Sequence, residues 1–485
     1  MQFDIKMFDN YKEGNRIEAK NAKGGLPHSI WETYSAFANT YGGVIILGAE
    51  ELKDGSFITS GIKNADKLIK DFWNIINNIS KVSINLLTEN DVNVYDYNND
   101  VIIVINIPMA KRELKPVYID NNIFNGTYKR NNEGDFHCTP LQVKSMLRDQ
   151  SEESDTKVLD KLGIDSLNFE SIHGYRNRYK YSKEGRAWED LSDNDFLEMI
   201  GAIKLGEDNK LHPTSAGLLM FGNEYKIMYE FVEYFLDYRE VLDSSIRWTD
   251  RLHSQSGDWS GNLYDFYFRV YNKLIKNVKV PFKMEGGFRV DDTPVHKVLR
   301  EVLANTLINA DYYVPRGIVI IQNNDSIRFE NPGSIRVGKY QMLKGGESDP
   351  RNKTLMKMFN LIDIGERAGS GIPQLLKVWN DEGFEEPVID ERLDDVERTF
   401  ITLSFKKKAD KKPIKADKKP IKADKERVES ILEYINQNET ITNKEARELL
   451  NLADSTTKRL LAQMVLDGLI EAIGENKNRK YILKK

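Results

Sequence analysis

The chain has 485 residues, 40% hydrophobic and 30% charged, which is enough for about three or four domains that each bury a core. A net charge of −5 excludes a globally basic nucleic-acid coat, so any phosphate contact must come from local patches. One cysteine, Cys138, excludes an internal disulfide and a cysteine-rich zinc site, and the six histidines lack metal-ligand spacing. Cys138 reads as a packed thiol. No apolar run approaches the roughly 20 residues needed to span a bilayer, and the first residues lack a signal-peptide pattern. The expectation is a cytoplasmic protein with no membrane partner.

In chain order, Glu13, Glu18 and Lys20 bring carboxylates and an amine together ahead of a helix, and Phe37-Ala-Asn-Thr-Tyr-Gly-Gly43 leads into the apolar run Val44–Leu47. That run ends near Glu50 and Glu51. Val101–Ile107 is a second β-branched run typical of a buried strand, and helical periods cover Leu68–Ile79 and Leu141–Leu147. These elements predict an α+β domain over residues 1–150, closed by the polar stretch Asp149–Asp155.

The Glu-x-Lys segment, the Phe-Ala-Asn-Thr-x-Gly-Gly segment and the strand ending in acids resemble the AlbA-like domain of Schlafen proteins and of many bacterial regulators, over about residues 10–147. The resemblance extends to Pro116-Val-Tyr118 and Gly126-Thr-Tyr-Lys-Arg130, where such domains carry an aromatic and basic strand near nucleic acid; Lys129 and Arg130 would be the contacts. In nuclease-active members three carboxylates hold a divalent metal, which implies Glu13, Glu18 and Glu51 as Mg²⁺ or Mn²⁺ ligands with Lys20 beside them. Glu51 stands where cleaving members tend to carry aspartate. Binding without cleavage is the alternative, and an ordinary Glu18–Lys20 surface pair on a strand is the structural one.

Residues 151–289 read as a mostly helical connector with a strand-like Val232–Tyr238 and no evident chemistry. Next, Glu301, Asn305 and Asn309 recur one helical turn apart among leucines, and so share one helix face. Strands are expected around Ile318 and Ile327 and at Thr399–Phe405. With Glu330-Asn-Pro-Gly-Ser334 and Gly365-Glu-Arg-Ala-Gly-Ser-Gly371, this segment resembles the degenerate GHKL-type ATPase domain of helicase-like bacterial regulators, over about residues 290–405. The resemblance implies ATP bound by Glu301, Asn305, Asn309, Gly333, Gly369 and Gly371. The adenine-reading Asp-x-Gly-x-Gly loop of true members is replaced around Glu330–Gly333, so hydrolysis is not expected. The alternative is that the asparagines are caps and the glycines loop punctuation.

Residues 406–425 repeat Lys-Ala-Asp-Lys-Lys-Pro-Ile without an apolar period and read as a solvated tether. Beyond it, Val428, Ile431, Leu432 and Ile435 mark one helix; Thr442 caps a second with Ala446, Leu449 and Leu450 inward; Ser455 opens a third with Leu460, Leu461, Met464 and Leu466. Two short strands, Leu469–Ile473 and Lys480–Leu483, follow. Residues 426–485 thus read as a winged helix-turn-helix. Thr456, Thr457, Lys458 and Arg459 would read the major groove, and Lys477 and Arg479 would line the wing. A purely protein-binding winged helix is the alternative.

The fold class expected is multidomain α+β: an AlbA-like α+β domain, a helical connector, a GHKL-like α/β sandwich and a winged helix-turn-helix. That order resembles a DNA-binding transcriptional regulator with DNA or RNA as partner and an ATP-responsive switch. A metal-dependent endonuclease of RNA or DNA, active in phage defence, is the alternative, and an ATP-gated signalling protein a third. The connector and the GHKL-like domain also suggest homo-oligomers.

Overall fold

The computed structural model describes residues 3–485 apart from 152–154, 183–187, 244, 278–282, 286–287, 291–292, 366–370, 393–395, 409–420, 439, 451–456, 458–459, 462–463, 466–468, 474–479 and 484–485, and omits the side chains of 9–10, 277, 283–285, 288–290 and 421–429. It divides into two compact units, Met1–Lys406 and Lys407–Lys485.

The first unit opens with a four-stranded mixed sheet. Ile17–Lys20 runs parallel to Gly43–Leu47, and Asp100–Ile107 and Val92–Tyr97 continue the sheet antiparallel. Both central strands are continuously apolar because both sheet faces are covered. Ile45, Leu47, Ile103 and Ile105 pack under the helices Ile30–Asn39 and Ala65–Ile76, whereas Val44, Ile46, Ile102 and Val104 pack against Phe8 and Phe57. Helices were expected at Leu68–Ile79 and Leu141–Leu147; they span Ala65–Ile76 and Pro140–Gln150. Thr139 and Gln142 form a capping box that starts the second, with Pro140 at its first turn.

One hydrophobic core then runs from Leu159 to Leu403 with no break near residue 290. The sheet explains why. Its six strands lie in the order Asp250–His253, Leu236–Val241, Ile318–Asn323, Ser326–Pro332, Arg398–Ser404, Val388–Arg392. The stretch read as a helical connector therefore supplies two strands of the sheet, and the strand expected at Val232–Tyr238 lies at Leu236–Val241. Tyr238, Ile320, Ile327, Phe329, Ile401 and Leu403 point to one face, where the helices Leu263–Asn277 and Pro294–Ile308 cover them.

The second unit buries Ile431, Ile435, Ile441, Ala446, Leu461, Met464, Ile470 and Tyr481. Its first helix is Ile421–Asn438, its second Asn443–Leu450, and Ile441–Thr442, Lys480–Leu483 and Ile470–Ile473 form a three-stranded sheet in that order. Leu449, expected inward, is exposed. The Thr442 hydroxyl accepts from the Glu445 N–H at 3.3 Å while the Glu445 carboxylate accepts from the Thr442 N–H at 2.8 Å, a reciprocal cap. Thr442→Ala should cost about 1 kcal/mol of this unit's stability, read as a lower thermal midpoint. Among the described residues no helix is long and apolar enough to cross a membrane.

Candidate nucleic-acid and nucleotide sites

The Phe37–Gly43 motif is structural glue. Buried Asn39 donates to the Val117 and Tyr128 carbonyls at 2.8 and 2.9 Å and accepts from the Val117 N–H at 2.8 Å, so one amide ties a helix end to two later segments. Thr40 accepts from the Arg130 N–H at 2.9 Å. Gly42 has φ +68°, and a Cβ there would lie 2.7 Å from the Ile107 carbonyl oxygen, so only glycine fits.

These contacts place Arg130 inside. Its guanidinium donates to Glu18 at 2.7 Å, to Asp135 at 2.9 Å and to the Gly14 carbonyl at 3.0 Å, and its side chain is 1% exposed. Arg130 is thus an internal ion-pair hub rather than a surface contact, and Lys129 is buried as well. Strand alternation gives no warning of this, because a basic strand reads alike whether its partners are phosphates or carboxylates. Exposed cations nearby are Lys12, Arg16 and Lys23.

Glu18 meets Lys20 at 2.9 Å through its other oxygen, and Lys20 also donates to the Ser29 hydroxyl at 3.2 Å. Glu13 accepts from the Ala19 N–H at 3.1 Å. Burial, then the charge of Glu18, then more weakly that of Glu51, raises the Glu13 carboxyl above its ordinary value, so the three acids feel one another. They do not converge. No group of three carboxylate, histidine or cysteine side chains able to hold a metal occurs among the described residues. Both Glu18 oxygens are already taken by cations, so this arrangement does not offer three carboxylates to one ion, and no chemical step is derived through a metal. Cys138 is buried, and burial pushes its thiol up to about 12, which makes it a poor nucleophile.

In the larger core, Glu301 and Asn305 line an open cleft with Ser334, Arg336, Asp349 and Gly371. Gly371 begins the helix Gly371–Asp381, and a Cβ on it would meet a Glu301 oxygen at 2.1 Å and the Asn305 amide at 3.3 Å. The carboxylate therefore lies against a helix N-terminus, where the peptide dipoles favour an anion. Asn309 caps its own helix, its side chain donating to the Asn305 carbonyl at 3.0 Å. Gly333 lies elsewhere. At φ +100° it leaves room for the Arg351 guanidinium, which would be 2.9 Å from a Cβ. Gly369, Thr456, Lys458, Arg459, Lys477 and Arg479 lie outside the described residues. Thr457 is buried, so it belongs to the core of the second unit.

Two ion pairs join this cleft to the N-terminal domain. Arg336, which lines it, donates to Asp149 at 2.6 Å, and Asp349, also in its wall, accepts from Arg112 at 2.7 Å. Arg351 binds the same Asp149 carboxylate. Nothing in the sequence pattern paired these residues, since Asp149 sits in a stretch that reads as an inter-domain seam.

Family models match four stretches of the chain. Residues 13–139 match "Schlafen, AlbA_2", 316–400 match "Putative ATP-dependent DNA helicase recG C-terminal", and 426–471 match "Winged helix-turn-helix DNA-binding". The chain joins stretches similar to a Schlafen AlbA_2 domain, a RecG C-terminal domain and a winged helix. Between them, residues 144–237 match a domain of unknown function. The RecG C-terminal match begins after Glu301, Asn305 and Asn309, whereas the AlbA_2 match includes Glu13, Glu18, Lys20, Glu51, Lys129 and Arg130. No curated protein matches. Among solved structures, the DIP2311 protein of Corynebacterium diphtheriae is 16% identical with a TM-score of 0.41, over 97% of this chain and 92% of that one. The N-terminal domain of a RecG-related protein from Nitrosomonas europaea is 24% identical with a TM-score of 0.22, over 28% of this chain and 90% of that one. At these TM-scores neither likeness bears on function.

Proposed function

We propose that this chain is a DNA-binding transcriptional regulator in which the winged helix grips duplex DNA and the AlbA_2 domain offers a second nucleic-acid surface. The observation that carries this reading is the second unit itself: two helices, a buried third-helix stripe at Leu461 and Met464, and the strand pair Ile470–Ile473 and Lys480–Leu483 build the frame that presents a recognition helix and a wing. With Arg130 and Lys129 turned inward, the exposed Lys12, Arg16 and Lys23 are among the cations still available to the AlbA_2 surface. A mobility shift on a pool of random duplexes at low salt tests the reading, and no retarded species would remove it.

The RecG C-terminal cleft serves in this reading as a nucleotide-responsive switch. Glu301 and Asn305 would face the phosphates and Mg²⁺, which would neutralise the charge between the nucleotide and a wall carrying Glu301, Glu347 and Asp349. Arg336 and Asp349 also hold Asp149 and Arg112, so an occupant that drew them away would loosen the N-terminal domain. Calorimetry should give ATP binding heat that requires Mg²⁺ and vanishes in Asn305→Ala. No heat with the wild type would end the switch and leave DNA binding intact.

A further inference from the structure

Opposite Tyr238, Ile320 and Phe329 the six-stranded sheet has a second face on which arginine dominates among the described residues. Cross-strand register sets Arg251 beside Arg239 and Arg328 two strands beyond, while Arg398 pairs with Arg392 at the other edge. The carboxylates on this face lie beneath. Asp237 is fully buried and takes both Arg239 and Arg251, at 2.5 and 2.8 Å; Glu330 is 8% exposed and takes Arg328 and Arg398, each at 2.7 Å. Each guanidinium keeps further N–H groups for an outside acceptor.

Arg316 and Arg392 are exposed, and the positive charges of Arg316, Arg328 and Arg392 all act on Arg398. Among the described residues Asp390 is an exposed acid of this face, and Lys339 lies 3.7 Å from it. The described residues of this outer layer therefore carry an excess of arginine although the chain as a whole is acidic.

Aromatic rings punctuate this layer. Arg328, Arg392 and Arg398 stack over Phe400 at 4.7, 4.9 and 5.4 Å, and Arg247 and Arg251 stack over the half-exposed Trp248 at 4.3 and 4.8 Å. The two stacks stand four strand spacings apart, about 20 Å.

We infer that this open sheet face binds single-stranded nucleic acid. Guanidinium forks match phosphate oxygens, and flat guanidinium and indole surfaces accept unpaired bases. A duplex hides its base faces and would use only the charge, and an acidic polypeptide has no bases to stack. The surface is built from other residues than the winged helix and the AlbA_2 domain, so it goes beyond the duplex contact proposed above.

Fluorescence anisotropy of labelled oligothymidylate and oligouridylate with the full chain tests it. Arg316→Ala/Arg392→Ala changes two exposed arginines outside the carboxylate clamps, so the fold should persist; Trp248→Ala probes stacking. Expected is about a tenfold loss of single-strand affinity in each, with the log–log salt slope of the arginine variant reduced by about 1.4 and duplex binding unchanged. Single-strand affinity and slope equal to wild type would overturn the inference, as would polyglutamate competing as well as the oligonucleotide. Failure of the wild type to bind duplex while these losses appear would instead count against the winged-helix reading alone.

Discussion

Arg130→Ala should lower the stability of the N-terminal domain by about 3–5 kcal/mol, read as a fall in urea midpoint. The guanidinium is buried and satisfies Glu18, Asp135 and the Gly14 carbonyl together. Its removal takes the cation from Asp135 and one of two cations from Glu18, which keeps Lys20, at a place where water cannot fully replace the guanidinium, and that desolvation dominates the cost. Glu18→Gln/Asp135→Asn in the Arg130→Met background should recover part of the loss, because neither site then buries a carboxylate, although Lys20 loses its Glu18 partner. An unchanged midpoint in Arg130→Ala would refute the hub. The same coupling affects any cleavage assay that relies on Glu18→Ala: a loss of activity means little unless the variant keeps the wild-type midpoint, since that carboxylate also anchors Arg130.

The second large effect is at Asp149. Removing this carboxylate leaves Arg336 and Arg351 facing each other without the anion they share, and Asp149→Ala should cost about 3–5 kcal/mol and loosen the N-terminal domain's hold on the larger core, which keeps the Arg112–Asp349 pair. Burial alone would raise the Asp149 carboxyl; Arg351 and then Arg336 outweigh it and hold it below its ordinary value of 3.8. For an acid depressed by folding, the stabilisation is complete above the unfolded value and is lost as pH falls through the folded one. The wild type should therefore lose this contribution below about pH 3.8, whereas Asp149→Asn should lack that acid-dependent step. Limited proteolysis across residues 139–155 over a pH series reads the difference. Equal cleavage of the two proteins at every pH would exclude the clamp.

The sequence carried the strands and helices well wherever one period dominated. Val44–Leu47 and Val101–Ile107 read as buried strands because both of their sheet faces are covered, and the Thr442–Glu445 spacing read as a helix start because capping is local. It failed where the decisive partner lies far along the chain. Leu236–Val241 joins a strand that begins at Ile318, so the edge strands of the larger sheet looked like part of a connector. Arg130 read as a surface cation because its carboxylate and backbone partners come from residues more than a hundred positions earlier or from the far side of a hairpin, and Lys129 beside it is buried as well. Glu301 and Asn305 were legible as a polar helix face, and Gly371 joins them in the cleft, but Gly333 does not, because its open side holds Arg351.

The claim on which the account rests is that an acidic chain holds DNA through local surfaces. Titrating the full-length protein against a labelled duplex at several salt concentrations tests it most directly. Measurable affinity at low salt is expected, falling linearly on a log–log plot with a slope of about −0.9 for each phosphate neutralised. A flat line, or no change in anisotropy at the lowest salt, would contradict it.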